Sequence, residues 1–249
     1  MKPEDPIELV REKLKWLRLP GMAGALLAVL EQAGRDNLTA CEVISRLCDE
    51  EKSSRLKSAI AAKVKGARFP EINTIDGFDF DFDAVRKKLK SRYLALHDVT
   101  FLEKGINPLF IGLPGTGKTY LARALAWRVC QANRRLVLAS AARMLNELHG
   151  AELHGGLERV LRRYVRADLL VIDDFAVLAM DAAHAKLAFQ VISERYDLRR
   201  STCITTNRPF KDWPKVFPDA LNAQVIAERL TERSETFLMD GKGYRIART

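Results

Sequence analysis

The chain has 249 residues, 47% of them apolar, and carries 41 Lys and Arg against 32 Asp and Glu, a formal charge of +9 with a pI near 9.5. This length and composition suit one ample core, alone or with a small appended domain, and exclude a disordered polyelectrolyte. No apolar run reaches the ~18–20 residues of a membrane span, and the N-terminus MKPEDPIELVREKLKWLRLP is charged where a signal peptide is apolar, so a cytoplasmic protein that engages no membrane is expected.

From Ile7 to about Lys65 the pattern is helical, with Leu, Ile and Val at three- and four-residue spacings, punctuated by LPGM at 19–22 and GRDNLT at 34–39. Within it Lys52, Arg55, Lys57, Lys63, Lys65 and Arg68 follow one another with no acid between them, a density suited either to tracking a phosphate backbone or to a solvated helix face. The stretch FPEINTIDGFDFDFD at 69–83 cannot continue a helix and predicts a linker. The expected division is a helical domain over 1–68, a linker over 69–84 and a second domain over 85–249. A second basic run, Arg86, Lys87, Lys88, Lys90 and Arg92, opens the helix after the linker.

Leu109-Phe110-Ile111 then leads into GLPGTGKT, Gly112 to Thr119, which fits the phosphate-loop spacing G-x-x-x-x-G-K-[ST], and a helical run from Tyr120 to Arg128 follows. Glycines allow backbone N–H groups to turn inward on phosphate oxygens at a helix N-terminus, where the helix dipole also favours an anion. The candidate nucleotide-binding residues are Gly112, Pro114, Gly115, Thr116, Gly117, Lys118, Thr119 and Tyr120. Lys118 would neutralise phosphate charge, and the Thr119 hydroxyl would bind Mg²⁺.

Beyond the loop, strand-length apolar runs alternate with helical stretches: Leu136 to Ala139 before Ala141 to Leu148, Leu169 to Ile172 before Ala183 to Tyr196, Cys203 to Thr205 before Ala220 to Leu230, and last Thr236 to Met239. The alternation predicts an α/β fold with a five-stranded parallel sheet covered by helices on both faces. The Leu169 run ends in Asp173-Asp174, where a second metal ligand (Asp173) and a group that orients or activates water (Asp174) are needed. The Thr202 run ends at Asn207, a polar tip able to sense the terminal phosphate, although Asn before Arg208-Pro209 is also ordinary turn chemistry. An Arg-rich helix with Arg159, Arg162, Arg163 and Arg166 is a third candidate for DNA phosphates. Cys41, Cys48, Cys130 and Cys203 form no metal or disulfide pattern and are expected as buried, reduced thiols.

This order of motifs resembles the AAA+ ATPases. More narrowly the chain resembles the IstB-like transposition helper ATPases, relatives of the DnaC-type helicase loaders, through LRLPGMAGAL at 17–26, ARFP at 67–70, GLPGTGKTYLARAL at 112–125, LLVIDDF at 169–175, TTNRPFKDW at 205–213, ERL at 228–230 and GKGYR at 241–245. The resemblance implies an AAA+ core, binding and hydrolysis of ATP with Mg²⁺, largely sequence-nonspecific binding of duplex DNA, self-association with shared ATP sites, and a transposase as partner. It implies Lys118 and Thr119 as Walker A residues, Asp173 as metal-binding acid, Asp174 where Glu is usual, Asn207 as sensor 1, and Arg229 as the arginine that reaches a neighbouring subunit. Asp174 is one methylene shorter than Glu, so slow hydrolysis is expected. The helical lid is expected to be absent or minimal, which leaves Arg245 outside the catalytic set. A loader of a replicative helicase is the alternative; it calls for stacking aromatics near the basic runs, of which Tyr93 is the main one. A small-molecule kinase would need an acceptor pocket and an Arg-rich lid, and a scaffold with a decayed site is opposed by intact Lys118, Thr119 and Asp173.

Overall fold

The computed structural model describes residues 5–241; Lys242 to Arg245 of the GKGYR stretch, Arg245 included, lie outside the described residues. The chain falls into two compact units, residues 1–62 and 63–249.

The first unit is built from three helices: α1 (Pro6–Trp16), α2 (Pro20–Asp36) and most of α3 (Ala40–Ala67). The Asp5 carboxylate accepts from the Ile7 N–H and caps α1. LPGM does not interrupt helix for long: Pro20 takes the first position of α2, where a missing N–H costs nothing. Gly21 lets α2 approach α3 closely, since a Cβ there would lie 2.7 Å from the Glu50 carbonyl oxygen, the Glu51 Cα and the Ser54 Cβ. The Glu51 carboxylate accepts from the free N–H groups of Gly21 (2.7 Å) and Met22 (3.2 Å) and pairs with Arg55 (2.7 Å). Arg55 hydrogen bonding, ahead of these backbone donors, holds the Glu51 carboxyl below the ordinary carboxylate range. Leu26, Val29 and Leu47 form the unit's small core, with Ile7, Leu14, Met22 and Val43 against it. GRDNLT is the α2–α3 turn, with Asn37 in the left-handed region as C-cap and Thr39 and Glu42 forming a reciprocal capping pair.

The second unit adds α4 (Ala84–Ala95), α5 (Phe101–Lys104), β1 (Asn107–Gly112), α6 (Lys118–Gln131), β2 (Leu136–Ser140), α7 (Ala141–His154), α8 (Leu157–Val165), β3 (Leu169–Asp173), α9 (Ala182–Asp197), β4 (Ser201–Thr206), α10 (Ala220–Thr231) and β5 (Ser234–Met239). All strands are parallel, in the order β2-β3-β4-β1-β5. Successive strand residues point to opposite faces, so both faces carry apolar side chains and need cover. Leu109, Leu170, Ile172 and Ile204 pack with α7, α8, α9 and α10, whereas Phe110, Leu169, Val171, Cys203 and Phe237 pack with α4, α5 and α6. Among the described residues no helix follows α10. Nor is any described helix long and apolar enough to cross a membrane.

Three expectations need correction. Residues 69–84, expected as a linker, are packed into the second unit: Phe78 and Phe80 are buried beside Tyr93 and Phe110, and Ile75–Gly77 form a 3₁₀ turn. Burial of the phenylalanines while the intervening acids stay in water is what the alternating FDFDFD pattern provides. Tyr93 is fully buried (0% exposed), its hydroxyl donating to the Leu121 carbonyl at 2.8 Å, so it offers no stacking platform. Cys130 and Cys203 are buried free thiols as expected, but Cys41 and Cys48 are exposed on α3.

Candidate nucleotide-binding site

The sheet brings the phosphate loop, at the C-terminal end of β1, beside the tips of β4 and β3, where ligands of open α/β sheets collect. Gly115 (φ 80°) and Gly117 (φ 102°) take left-handed backbone conformations that L side chains resist. A Cβ on Gly117 would also press on the Phe78 ring at 2.6 Å. Gly112 closes against β5, where the Met239 carbonyl leaves no room for a side chain. The loop is thus shaped by close approach as much as by torsion.

Lys118 opens α6, is only 7% exposed, and donates from Nζ to the carbonyls of Gly112 and Leu113, both at 2.7 Å. Burial lowers its pKa, against the opposing pull of Asp174 and Asp173. A desolvated ammonium with two carbonyl partners is a charge that an anion would stabilise further. The Thr119 hydroxyl donates to Asp173 Oδ1 at 2.8 Å, and Arg123, one turn along α6, approaches Asp173 Oδ2 at 3.6 Å. Asp174 turns the chain sharply with φ 57°, and its carboxyl pKa is raised, first by desolvation and then by Asp173.

These groups line one cavity of about 450 Å³ with Pro114, Gly115, Gly117 and Tyr120; Gly77, Phe78, Asp79 and Arg86 form its other wall. Gly112 and Thr116 serve the loop from behind: Thr116 is buried, with its hydroxyl donating to the Leu113 carbonyl at 2.9 Å. The donors fit the groups they are expected to hold. Inward-turned glycines and Lys118 match phosphate oxygens, and the Thr119 hydroxyl with the Asp173 carboxylate is an oxygen set suited to Mg²⁺.

Asn207 and Arg229 do not line the cavity. Asn207 is exposed, one residue past β4. Arg229 lies on α10, hydrogen-bonded to the Ser193 hydroxyl and stacked near the Phe189 and Tyr196 rings at 5.2 and 5.5 Å. The contact at the β4 tip comes instead from Thr205, whose hydroxyl donates to Asp173 Oδ1 at 2.5 Å and accepts from the Asp174 N–H at 3.0 Å. One Thr therefore fixes both acids. Asn207, two residues on, is the strand-tip position where a sensor is expected, whereas Thr205 lies within the buried strand.

Arg86 is the clearest correction among the basic residues. It is 4% exposed, donates to the carbonyls of Thr116 (3.1 Å) and Asp79 (3.4 Å), and stacks against Phe78 and Phe82 at 5.0 and 4.6 Å. It braces the phosphate loop and is not available to a duplex. The spacing of Arg86, Leu89 and Tyr93, all buried on one face of α4, carried that signal, while Lys87 and Lys88 face solvent. Lys52, Arg55, Lys57, Lys65, Arg68, Arg159, Arg162 and Arg163 are exposed, and Lys63 is half-buried with its ammonium on Asn133.

A parallel sheet in this order, with a phosphate loop after the first strand, paired acids at the end of the third and a polar fourth-strand tip, is an AAA+-like α/β fold. The fold recurs in the DnaC helicase loader (TM-score 0.60, 20% identity, 67% of this chain and 96% of that one) and in AMPPCP-bound DnaA from Aquifex aeolicus (TM-score 0.57, 19% identity, 70% and 52%). Residues 12–249 match the IstB-like ATP-binding protein family, and the chain belongs to it. Its relatives include proteins named for ATP binding in insertion sequence IS21 of Pseudomonas aeruginosa (30% identity over 94% of this chain and 87% of that protein) and in IS232 of Bacillus thuringiensis subsp. berliner (32%, 94% and 92%).

Proposed function

We propose that the chain binds and slowly hydrolyses ATP with Mg²⁺, assembles through shared ATP sites on duplex DNA, and so assists the transposase of an insertion sequence in selecting target DNA. The observation that carries the reading is the convergence of Lys118, Thr119, Asp173 and Asp174 on one cavity in a chain of this family. Mg²⁺, held by Thr119 and Asp173, would neutralise charge on the phosphate oxygens. Lys118 exchanges its loop carbonyls for phosphate oxygens and binds the substrate by charge-assisted hydrogen bonds. Asp174 orients a water for attack on the terminal phosphorus and accepts its proton, a role its raised pKa favours, as the bond from that phosphorus to the bridging oxygen breaks and ADP leaves. Thr205 keeps the two acids in register. Arg229 completes a neighbouring subunit's site. The helical N-terminal part, with Lys52, Arg55 and Lys57, engages DNA or the transposase, and the core hydrolyses ATP. Backbone charge makes the DNA contacts nonspecific.

The test is mass photometry of the full chain with duplex or single-stranded DNA, with ATP, ADP or no nucleotide, at two salt concentrations. Salt-sensitive, ATP-dependent assemblies on duplex are expected; a preference for single strands would instead favour a helicase loader. Lys118→Ala serves as the control and is expected to weaken ATP binding by about 100-fold or more, the range for removing one partner of a desolvated charged contact. Unchanged ATP affinity in that variant would reject the site.

A further inference from the structure

A second, smaller cleft lies away from the nucleotide cavity, on the outer edge of β2. This strand has a sheet neighbour on one side only, and Arg68, Arg143 and Arg163 line the space beside Leu136–Ala139 together with Gly66 and Tyr164. The three guanidiniums come from different places in the chain. Arg68 follows the end of α3 in the left-handed region with φ 51°; Arg143 is on the first turn of α7, and Arg163 is on α8.

Their bonding is uneven. Arg163 is held in place: it pairs with Glu147 at 2.7 Å, donates to the Tyr164 hydroxyl at 2.7 Å and stacks on that ring at 4.6 Å. Arg68 and Arg143 make no side-chain hydrogen bond or ion pair among the described residues, and Arg143 feels Glu147 only at a distance. Three positive charges against one carboxylate leave the cleft with a net excess of about two. Arg159 on α8 and Arg166 at its C-cap stand four residues before and three after Arg163, so they extend the charge along that side, whereas Arg162 is tied to Glu158.

We infer that the Arg68–Arg143–Arg163 cleft binds a backbone phosphate of duplex DNA, and that the α8 face carries the neighbouring phosphates. The inference rests on the reading above that the chain binds duplex. The cleft, about 130 Å³ and lined by three guanidinium groups, has room for a phosphate group. Guanidinium forks match phosphate oxygens in pairs, and the pre-fixed Arg163 loses little side-chain freedom on binding. A bare duplex presents a row of such groups, which the Arg159–Arg163–Arg166 stripe can follow, while a free anion would use the cleft alone.

The experiment is fluorescence anisotropy of the full chain on a labelled duplex across a salt series, comparing wild type, Arg68→Ala/Arg143→Ala and Lys87→Ala/Lys88→Ala, which removes the same charge from the other exposed basic run. The arginine pair is expected to weaken duplex binding by about tenfold and to flatten the slope of log K against log salt by about 1, for the one phosphate the cleft would hold. Binding of a fluorescent ATP analogue should stay unchanged, and the lysine pair should have the smaller effect on duplex. Equal effects of the two pairs, or an unaltered slope in the arginine pair, would overturn the inference while leaving duplex binding intact. Wild type that fails to bind duplex at all would instead overturn the proposed function. Inorganic phosphate that competes with duplex at millimolar concentration, with no change on lengthening the duplex, would assign the cleft to a free anion and also overturn it.

Discussion

The two compact units solve the same folding problem on different scales. The nucleotide-site unit buries apolar side chains on both faces of its sheet, with Trp213, Phe110, Phe175 and Phe237 inaccessible. The N-terminal helices centre on Leu26, Val29 and Leu47, and leave Trp16 83% exposed with Leu17, Ile44 and Leu56 also open to solvent. Small cores bury too little surface to hold much stability. The difference teaches where precision is needed: the nucleotide groups stand on the rigid unit, and the helical unit relies on caps and one close helix approach.

The first variant targets Asp174, a carboxyl that this unit desolvates. Asp174→Asn should lower the hydrolysis rate by about 10²–10⁴-fold, the range for loss of a general base, while ATP still binds. In wild type the acid limb of the rate profile should sit above the ordinary Asp range, with activity lost as pH falls through the raised pKa. The sign for stability is opposite. A carboxyl whose pKa is raised on folding favours the folded state when protonated, and that contribution is lost as pH rises through the folded pKa. Asp174→Asn should therefore melt higher than wild type near neutral pH and lose its advantage in acid; Asn also tolerates the left-handed backbone at this position. Paired kinetics and melting curves check both signs, and a lower melting point at neutral pH would mean that the carboxylate is stabilising after all.

Next come truncations that compare the cores directly. Trp213 packs against Phe175, Phe210 and Phe217, and Trp213→Ala should cost the nucleotide-site unit about 3–5 kcal/mol; Leu26→Ala should cost the helical unit about 2–5 kcal/mol. A loss of that size consumes much more of the small unit's stability. Urea denaturation followed by far-UV circular dichroism and by nucleotide binding should show Leu26→Ala separating an early helical transition from retained ATP binding, whereas Trp213→Ala abolishes both together. A single shared transition in both variants would erase the distinction between the units.

Much of the rigid unit was legible because its signals are local. Apolar runs such as Leu169–Ile172, ended by acids, and the phosphate-loop spacing both report on neighbours in sequence. The far wall of the site was not legible, because Phe78 and Arg86 acquire their roles from packing against Gly117 and the Thr116 carbonyl, contacts between segments about thirty or more residues apart. Acid-rich FDFDFD looks the same locally whether its phenylalanines find a core or not. Thr205 was hidden for a related reason: a strand Thr is unremarkable until the sheet order sets it beside Asp173.

The smallest effect tests how the helical unit holds together without volume. Glu51 receives the Gly21 and Met22 N–H groups and the Arg55 guanidinium, so its charge sits at the positive end of α2. Glu51→Gln keeps the shape and removes the charge. Because the folded pKa is depressed, first by Arg55, the wild-type contribution is present above the unfolded pKa and is lost as pH falls through the folded one. The variant should accordingly melt a few degrees lower near neutral pH, and the two curves should converge as pH falls below the depressed folded pKa and the wild-type side chain is protonated. Melting the full chain with a probe on Trp16 isolates this unit. A gap that persists unchanged into acid would assign the effect to lost hydrogen-bond geometry, and the capping charge would then carry no stability of its own.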